Sequence, residues 1–128
     1  MSTLKVNTIQ NTSGGSSSTP EQIQQGRAKA WINFNGSGTV SIRDSFNVST
    51  LTDNGTGDYT ISFTTAMANT NYAVTCTSSA QHNFTTAIIG VDITDGNYLT
   101  GSIRVQSVRT GADTAVDRAY NNVVIHGD

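Results

Sequence analysis

Cysteine and proline each occur once in the 128 residues. The single Cys76 excludes an intrachain disulfide and any zinc site built from several cysteines. It alternates with Tyr72 and Val74, which predicts a thiol buried in a core rather than a reactive one. The fold therefore has to be held by ordinary packing and hydrogen bonds.

Charge and long apolar runs are also scarce. Charged residues make up 12% of the chain and the formal net charge is −2. Charge this weak argues against nucleic acid or an acidic lipid surface as a partner. No apolar run approaches the ~18–20 residues of a membrane span, and no signal peptide is recognisable. We expect no membrane insertion, and an outward-facing composition without an export signal fits a protein released by lysis.

Residues suited to catalysis are few. Glu21 is the sole glutamate and most aspartates fall in predicted turns, whereas glycan-cleaving enzymes need two carboxylates in one cleft. Three copies of His82 or of His126 could hold a metal on a threefold axis, but His82 falls in a polar loop and His126 near the C-terminus, which favours solvated histidines. We expect no enzyme, with no catalytic residues, no resident metal and no cofactor.

Serine, threonine, asparagine and glycine are abundant and make up nearly half of the chain. Threonine suits a pleated surface, while asparagine and glycine suit tight turns. From Lys29 onward apolar and polar residues alternate, which predicts seven to nine short strands. We expect an all-β head, a β-sandwich or jelly-roll-like domain over 29–128. Its inward rows should include Ala30, Ile32, Phe34, Tyr59, Ile61, Phe63, Tyr72, Val74 and Cys76, and a later strand should contain Ile103 and Val105.

Three stretches of the head carry more specific predictions. Phe46 and Val48 should begin a strand that ends near Leu51. Asp53-Asn54-Gly55 is a strong hairpin signal. The run Asp53–Asp58 superficially resembles a calcium loop, but it supplies too few oxygen ligands and the hairpin accounts for it. The apolar run Ala87–Thr94 predicts a central strand that is covered on both faces.

The first 28 residues form a separate arm. Burying Leu4, Val6, Ile9 and Ile23 would contribute about 6–12 kcal/mol, whereas ordering 28 backbone residues costs about 28–56 kcal/mol. The arm should therefore be ordered only by a partner surface. Leu4 and Val6 should share one face of a short strand, with Ile9 on the other. Thr19-Pro20-Glu21-Gln22 predicts a capped helical turn that stops at Gly26.

Candidate contact residues of the head lie on its first predicted strand and in two loops. Trp31 faces away from the Ala30, Ile32 and Phe34 row, so it lies either at a subunit interface or under a second covered face of the same monomer. Residues 109–121 lack alternation and form either a functional loop or a plain mobile one. Aromatic and amide groups suit recognition of sugar or protein, which gives as candidate binding residues His82, Asn83, Phe84, Arg118, Tyr120 and Asn121.

Several strings resemble a known class of virion proteins. Leu4-Lys-Val-Asn-Thr-Ile-Gln10, followed by glycine and serine, resembles the opening of many tailed-phage fibre proteins. Lys29–Gly36, Ile42–Ser49 and Asp53–Thr60 resemble a module common in structural proteins of phages that infect marine bacteria and cyanobacteria. The resemblance covers roughly residues 1–75. It implies a homotrimeric virion fibre or fibre tip, with the arm for attachment and trimerisation and the head facing the host. No catalytic residues carry over.

The chain departs from that class in one respect, because it has almost no shaft between arm and head. We expect a phage tail-fibre or fibre-tip protein on the exterior of the virion, attached to other virion proteins through residues 1–28. Its assembly interface should include Leu4, Val6, Ile9, Ile23 and Trp31, and it should adhere to a host cell-surface glycan or protein. The alternative is a purely structural capsid decoration or baseplate cement protein.

Overall fold

The arm is extended apart from one short ribbon and one helix. The computed structural model describes residues 1–79, 87–91, 96–109 and 114–127. Strand β1 (Ile9–Gln10) pairs antiparallel with β2 (Ser17–Ser18), and helix α1 spans Pro20–Gly26. A ribbon of two-residue strands is marginal by itself. None of residues 1–27 is buried.

Helix α1 begins and ends as the sequence predicts. The Thr19 side chain accepts a hydrogen bond from the Gln22 backbone N–H at 3.2 Å, and the Thr19 backbone N–H donates to Gln22 Oε1 at 2.9 Å. These reciprocal bonds satisfy donors that the first helical turn leaves free. Glu21 lies in that turn, where backbone and Thr19 hydrogen bonds lower the pKa of its carboxyl. The helix ends at Gly26, and Arg27 is already extended.

The head is all-β and sandwich-like, as predicted. The strands of the head are β3 (Ala28–Asn35), β4 (Ser41–Phe46), β5 (Val48–Gly55), β6 (Asp58–Phe63), β7 (Ala73–Ser78), β8 (Ala87–Val91), β9 (Ser102–Arg109), β10 (Thr114–Ala115) and β11 (Asn121–His126). One sheet has the strand order β4-β3-β11-β7; the other has β10-β9-β6-β5, with β8 also paired to β9. All pairings between these strands are antiparallel.

The core lies between the two sheets and is built from the predicted alternating rows. Phe34 packs edge-on against Tyr59 with ring centroids 5.0 Å apart, which joins β3 to β6 across the sandwich. Val74 and Cys76 are half-buried and pack against the core, where burial raises the pKa of the Cys76 thiol to about 11. The core consists of Ala30, Ile32, Phe34, Tyr59, Ile61, Phe63, Met67, Tyr72, Ile103, Val105, Val123 and Ile125.

Three details differ from the sequence prediction. The β5–β6 turn consists of Thr56 and Gly57 and not of Asn54-Gly55, since Gly55 pairs with Asp58. Phe46 ends β4 instead of opening β5, because the chain reverses at Asn47 with a φ of 56°. Among the described strands β8 pairs with β9 alone, so it lies at a sheet edge rather than in the centre.

The strand directions give the sandwich two distinct ends. Strand β3 starts beside the arm at Ala28 and runs to Asn35, and antiparallel β11 places Asn121 opposite Phe34. The arm end also contains Asn47 and residues 64–72, because Asn47 bonds to the Lys29 and Thr65 carbonyls at 3.0 Å. The distal end contains residues 36–40, the Thr56-Gly57 turn and residues 116–120. The arm and the distal loops therefore lie at opposite ends.

Replacement of Gly57 by alanine should strongly destabilise the head. Gly57 has a φ of +65°, and an added Cβ would lie 2.5 Å from the Ser107 carbonyl oxygen. Strain and collision together predict a loss of about 2–4 kcal/mol in the free energy of unfolding, measured by urea titration. Gly101→Ala is the matched control, because nothing lies within 4 Å of its added Cβ. Equal stability of the two variants would contradict this account of the turn.

Candidate functional site

A hydrogen-bonded network around the buried Tyr59 side chain anchors the distal end. The Tyr59 hydroxyl lies 2.9 Å from both the Gly36 carbonyl and Asp117 Oδ1, and it donates its single proton to either acceptor. Asp117 also accepts the Gly57 backbone N–H at 2.7 Å. Burial, and then the neighbouring Asp117, raise the pKa of Tyr59, so the phenol stays protonated. The network ties the turns after β3 and β5 to the segment before β11.

Arg118 and Asn121 belong to this anchor and not to an exposed contact surface. Arg118 is 5% exposed and Asn121 is fully buried. The Arg118 carbonyl accepts the Gly36 N–H and the Asn121 side-chain amide, each at 2.9 Å. The prediction of these two residues as surface contacts is thereby corrected, because their polar atoms hold the loop to the sandwich.

Tyr120 is exposed at the distal end, as a binding residue must be. Its side chain is 55% exposed, and the guanidinium of Arg43 lies 4.0 Å from the ring centroid. Ser79 holds the Tyr120 backbone in place, since the Ser79 N–H donates to the Tyr120 carbonyl at 2.8 Å. An aromatic ring stacked with a guanidinium on a fixed backbone can contact sugar rings, carboxylates or protein surfaces.

Arg43 was missed in the sequence because its position depends on a β-bulge. Asn33 pairs with Asp44, whereas the next residue, Phe34, pairs with Ile42. Arg43 is therefore the extra residue of the bulge, and such residues often have a redirected side chain. Alternation alone carries no signal for this irregularity. Of the other predicted binding residues, His82, Asn83 and Phe84 lie outside the described residues.

The outward face of the second sheet is polar at the same end. Arg104 on β9 forms a two-pronged ion pair with Asp58 on β6, with Nε 2.7 Å from Oδ1 and NH2 paired with Oδ2. Hydrogen bonds from Arg104 lower the pKa of Asp58. Asn54 donates to Thr60 Oγ1 at 2.8 Å and to Asp58 at 3.3 Å. Asn54 thus organises this polar surface instead of forming the turn.

The predicted assembly residues of the arm line one open groove. Leu4 is 85% exposed, Ile9 54% and Ile23 44%, and Val6 is also exposed. The groove has a volume of about 640 Å³, and its lining includes these four aliphatic side chains together with Pro20. The prediction that Leu4 and Val6 lie on one face of a strand, with Ile9 on the other face, is therefore wrong. Of these residues only Ile9 belongs to a strand, and all four aliphatic side chains border one concave surface.

A second apolar surface lies on the head near the arm. Strand register places Phe46, Trp31 and Val124 side by side on the outward face of the β4-β3-β11-β7 sheet. Phe46 is 52% exposed, and Trp31 and Val124 are half-buried. Phe46 also borders a groove of about 600 Å³ that includes Ala28, Asn47 and Met67. Trp31 thus faces outward as predicted, whereas Phe46 was not singled out in the sequence.

The described residues contain no group of three or more histidine, cysteine, aspartate or glutamate side chains placed to hold a metal ion. Within the same residues, no helix has the length and apolar character needed to cross a bilayer. His126 is half-buried at the end of β11, opposite Ala28.

Searches for related proteins returned no matching family model, no curated relative and no similar solved structure.

The Asp58–Arg104 pair should make stability depend on pH. Hydrogen bonding by Arg104 lowers the folded-state pKa of Asp58. The stabilisation from the pair is therefore fully present at pH values above the unfolded-state pKa of Asp58, and it is lost as the pH falls through the folded-state pKa. Arg104→Gln should cost about 1 kcal/mol or less at about pH 6, and the difference from the parent should shrink towards about pH 2.

Urea unfolding across that range measures the effect. Arg109→Gln, an exposed position on the same strand, is the matched control and should show no such convergence. A difference between parent and Arg104→Gln that is independent of pH would refute the assignment.

Proposed function

We propose that this chain is a virion fibre protein of a tailed phage, either a tail fibre or a fibre tip. In this proposal it assembles as a homotrimer through the arm and adheres to a host surface with its distal end. The observation that carries the proposal is the separation of two surfaces. Exposed aliphatic side chains are gathered on the arm, and an exposed aromatic and guanidinium pair lies at the opposite end of the head.

The arm supports an assembly role because its aliphatic side chains are exposed in the single chain. Leu4, Ile9 and Ile23 are each at least 44% exposed, while the core of the head is closed without them. Exposed apolar clusters of this kind mark interaction sites. In a virion protein the partner surface is a sister copy or another structural component, which agrees with the resemblance of residues 4–10 to fibre openings.

The distal end supports adhesion because contact residues there are held on a fixed framework. Tyr59, Asp117 and Asn121 hold the neighbouring loops by hydrogen bonds, so little ordering entropy is lost when Tyr120 engages a ligand. Flat aromatic groups with nearby guanidinium and amide groups suit a glycan or a protein on the cell surface. No reaction is part of this proposal.

One observation favours the second candidate, a capsid decoration or baseplate cement protein. Helix α1 ends at Gly26 and β3 begins at Ala28, so a single residue separates the helix of the arm from the head and no shaft lies between them. Antibody labelling of intact particles separates the two candidates. Label at the tail tip supports the fibre, whereas even label over the capsid supports decoration and overturns the fibre proposal.

Replacing two aliphatic arm residues should dissociate the assembly. Light scattering coupled to gel filtration should give three times the mass of one chain for the unaltered protein. Leu4→Ser combined with Ile9→Ser should give a single-chain mass, because the arm loses its two most exposed aliphatic side chains. Thr3→Ala with Thr8→Ala, two exposed polar arm positions, should leave the trimer intact. A folded monomer of the unaltered chain would refute the assembly proposal.

Tyr120→Ala should weaken adhesion without altering the fold. Loss of the aromatic contact should reduce binding of the labelled protein to cells of the bacterium that the phage infects by at least about tenfold. Leu99→Ala is the matched control, because Leu99 is 45% exposed but lies at the arm end. Equal binding by both variants would exclude the Tyr120 surface as the contact.

A further inference from the structure

A row of polar side chains crosses the outward face of the β4-β3-β11-β7 sheet. Strand register places one residue of each strand side by side, in the order Asp44, Asn33, Asn122 and Thr77. Asn33 and Asn122 lie between buried neighbours, and residues paired directly across a sheet share a face, so all four side chains point away from the core. Neighbouring strands are about 4.8 Å apart, so this polar row spans about 14 Å.

Hydrogen bonds fix the side chains of the polar row. Asn33 Nδ2 donates to Asn122 Oδ1, and Asn122 Nδ2 donates to Thr77 Oγ1 at 3.3 Å. Asp44 Oδ1 accepts the Ser45 backbone N–H at 2.8 Å. The side chains are therefore held in one arrangement before a ligand arrives, which limits the ordering entropy that binding costs.

The same bonds leave acceptors and donors of the polar row open to solvent. Among the residues that the structure describes, nothing donates to Asn33 Oδ1 or Asp44 Oδ2, and the Thr77 hydroxyl accepts a bond without donating one. Asn33 and Asn122 are half-buried, and Asp44 and Thr77 are exposed. A hydroxyl group both donates and accepts, so a ligand with several adjacent hydroxyls complements this mixed set.

Aromatic rings lie on both sides of the polar row. Trp31 precedes Asn33 by two residues, and Tyr120 precedes Asn122 by two residues on the antiparallel neighbour. The two Cα atoms are thus each about 7 Å from the row, towards opposite ends of the sheet. Trp31 is half-buried and Tyr120 is 55% exposed. Each ring offers a flat apolar surface, which suits the C–H face of a sugar ring.

The charges of this surface favour a neutral ligand. Arg43 and Asp44 follow each other on β4 and contribute one positive and one negative charge, and neither belongs to an ion pair between described residues. The other members of the polar row and both rings are uncharged. Such a surface has no net attraction for a polyanion. Its centre is polar, whereas the centre of a specific protein interface is apolar.

We propose that the polar row, together with Tyr120 and Trp31, binds a neutral oligosaccharide of the host surface. The inference rests on the proposed adhesive function and names the ligand class and the residues that recognise it. Sugar hydroxyls bond to the open oxygens and N–H groups of the row, and C–H faces of the sugar rings pack against Tyr120 and Trp31. The length of the row matches an oligosaccharide of a few rings.

Asn122→Ala tests the polar row in the full-length chain. The probe is the neutral fraction of surface polysaccharide from the bacterium that the phage infects, separated from the acidic fraction by anion exchange. Asn122 lies at the centre of the row, so its loss should weaken binding in isothermal titration calorimetry by at least about tenfold. Asn54→Ala is the matched control, because Asn54 also makes two side-chain hydrogen bonds, but on the other sheet.

Thr77→Val removes a hydroxyl from the polar row while it keeps the shape of the side chain. Thr77 is exposed and valine suits a strand, so the fold should persist, as far-ultraviolet circular dichroism verifies. Affinity for the neutral fraction should fall by at least about threefold.

Trp31 provides an independent readout, because it is the only tryptophan in the sequence. Quenching of its fluorescence by acrylamide should decrease when the unaltered chain is saturated with the neutral fraction. The Asn54→Ala control should behave like the unaltered chain.

The results that would overturn the inference also separate it from the proposed function. If Asn122→Ala binds as tightly as the unaltered chain while Tyr120→Ala does not, adhesion stands and the polar row is wrong. If the acidic fraction binds at least as tightly as the neutral one, or cells bind and neither fraction does, adhesion stands and the ligand class is wrong. If the unaltered chain binds neither cells nor either fraction, both proposals fail.

Discussion

The structure depends on an imbalance between its two parts in the amount of apolar surface that each can bury. The head encloses a continuous core between two sheets, including Phe34, Tyr59 and Ile103, all fully buried. The arm has four aliphatic side chains, and every one is exposed. Burial of four such side chains is worth about 6–12 kcal/mol, far less than the entropy of ordering the segment. The apolar side chains of the arm are therefore too few to order this segment by themselves.

The head keeps the arm and the distal loops apart. Antiparallel strands carry the chain between the arm end and the distal end, so neighbouring loops gather at one end or the other. At the distal end, Asp117 and Tyr59 join three loops through one buried and two part-buried hydrogen bonds. At the arm end, Asn47 bonds to two separate carbonyls and fixes the corner where β4 turns into β5. Phe46 lies at this corner, at the end of β4.

Much of the fold follows from alternation and capping in the sequence. The Ala30, Ile32 and Phe34 row is buried as predicted, and the Thr19 capping box forms with both of its hydrogen bonds. Alternation of apolar and polar residues and a helix cap each involve only a few adjacent residues, so both can be recognised in the sequence without knowledge of the tertiary structure. The exposure of the arm was predictable for the same reason, since it follows from counting apolar side chains.

The site was less predictable because it depends on contacts between residues distant in sequence. Arg118 and Asn121 look like surface residues by type, but both are buried, and the Arg118 carbonyl is bonded to Gly36, far away in the chain. Arg43 reaches Tyr120 through a bulge that alternation does not reveal. Phe46 was placed in the wrong strand because the reversal at Asn47 uses bonds to Lys29 and Thr65.

Hydrogen–deuterium exchange of the full-length chain, measured at low and at high protein concentration, tests the central claim most directly. The account predicts that amides of residues 1–27 exchange rapidly in dilute solution and become protected when the chain is concentrated. Amides of β3 and β11 should be protected in both conditions, because they are paired within one chain. Protection of the arm that is already complete in dilute, monomeric protein would contradict the account.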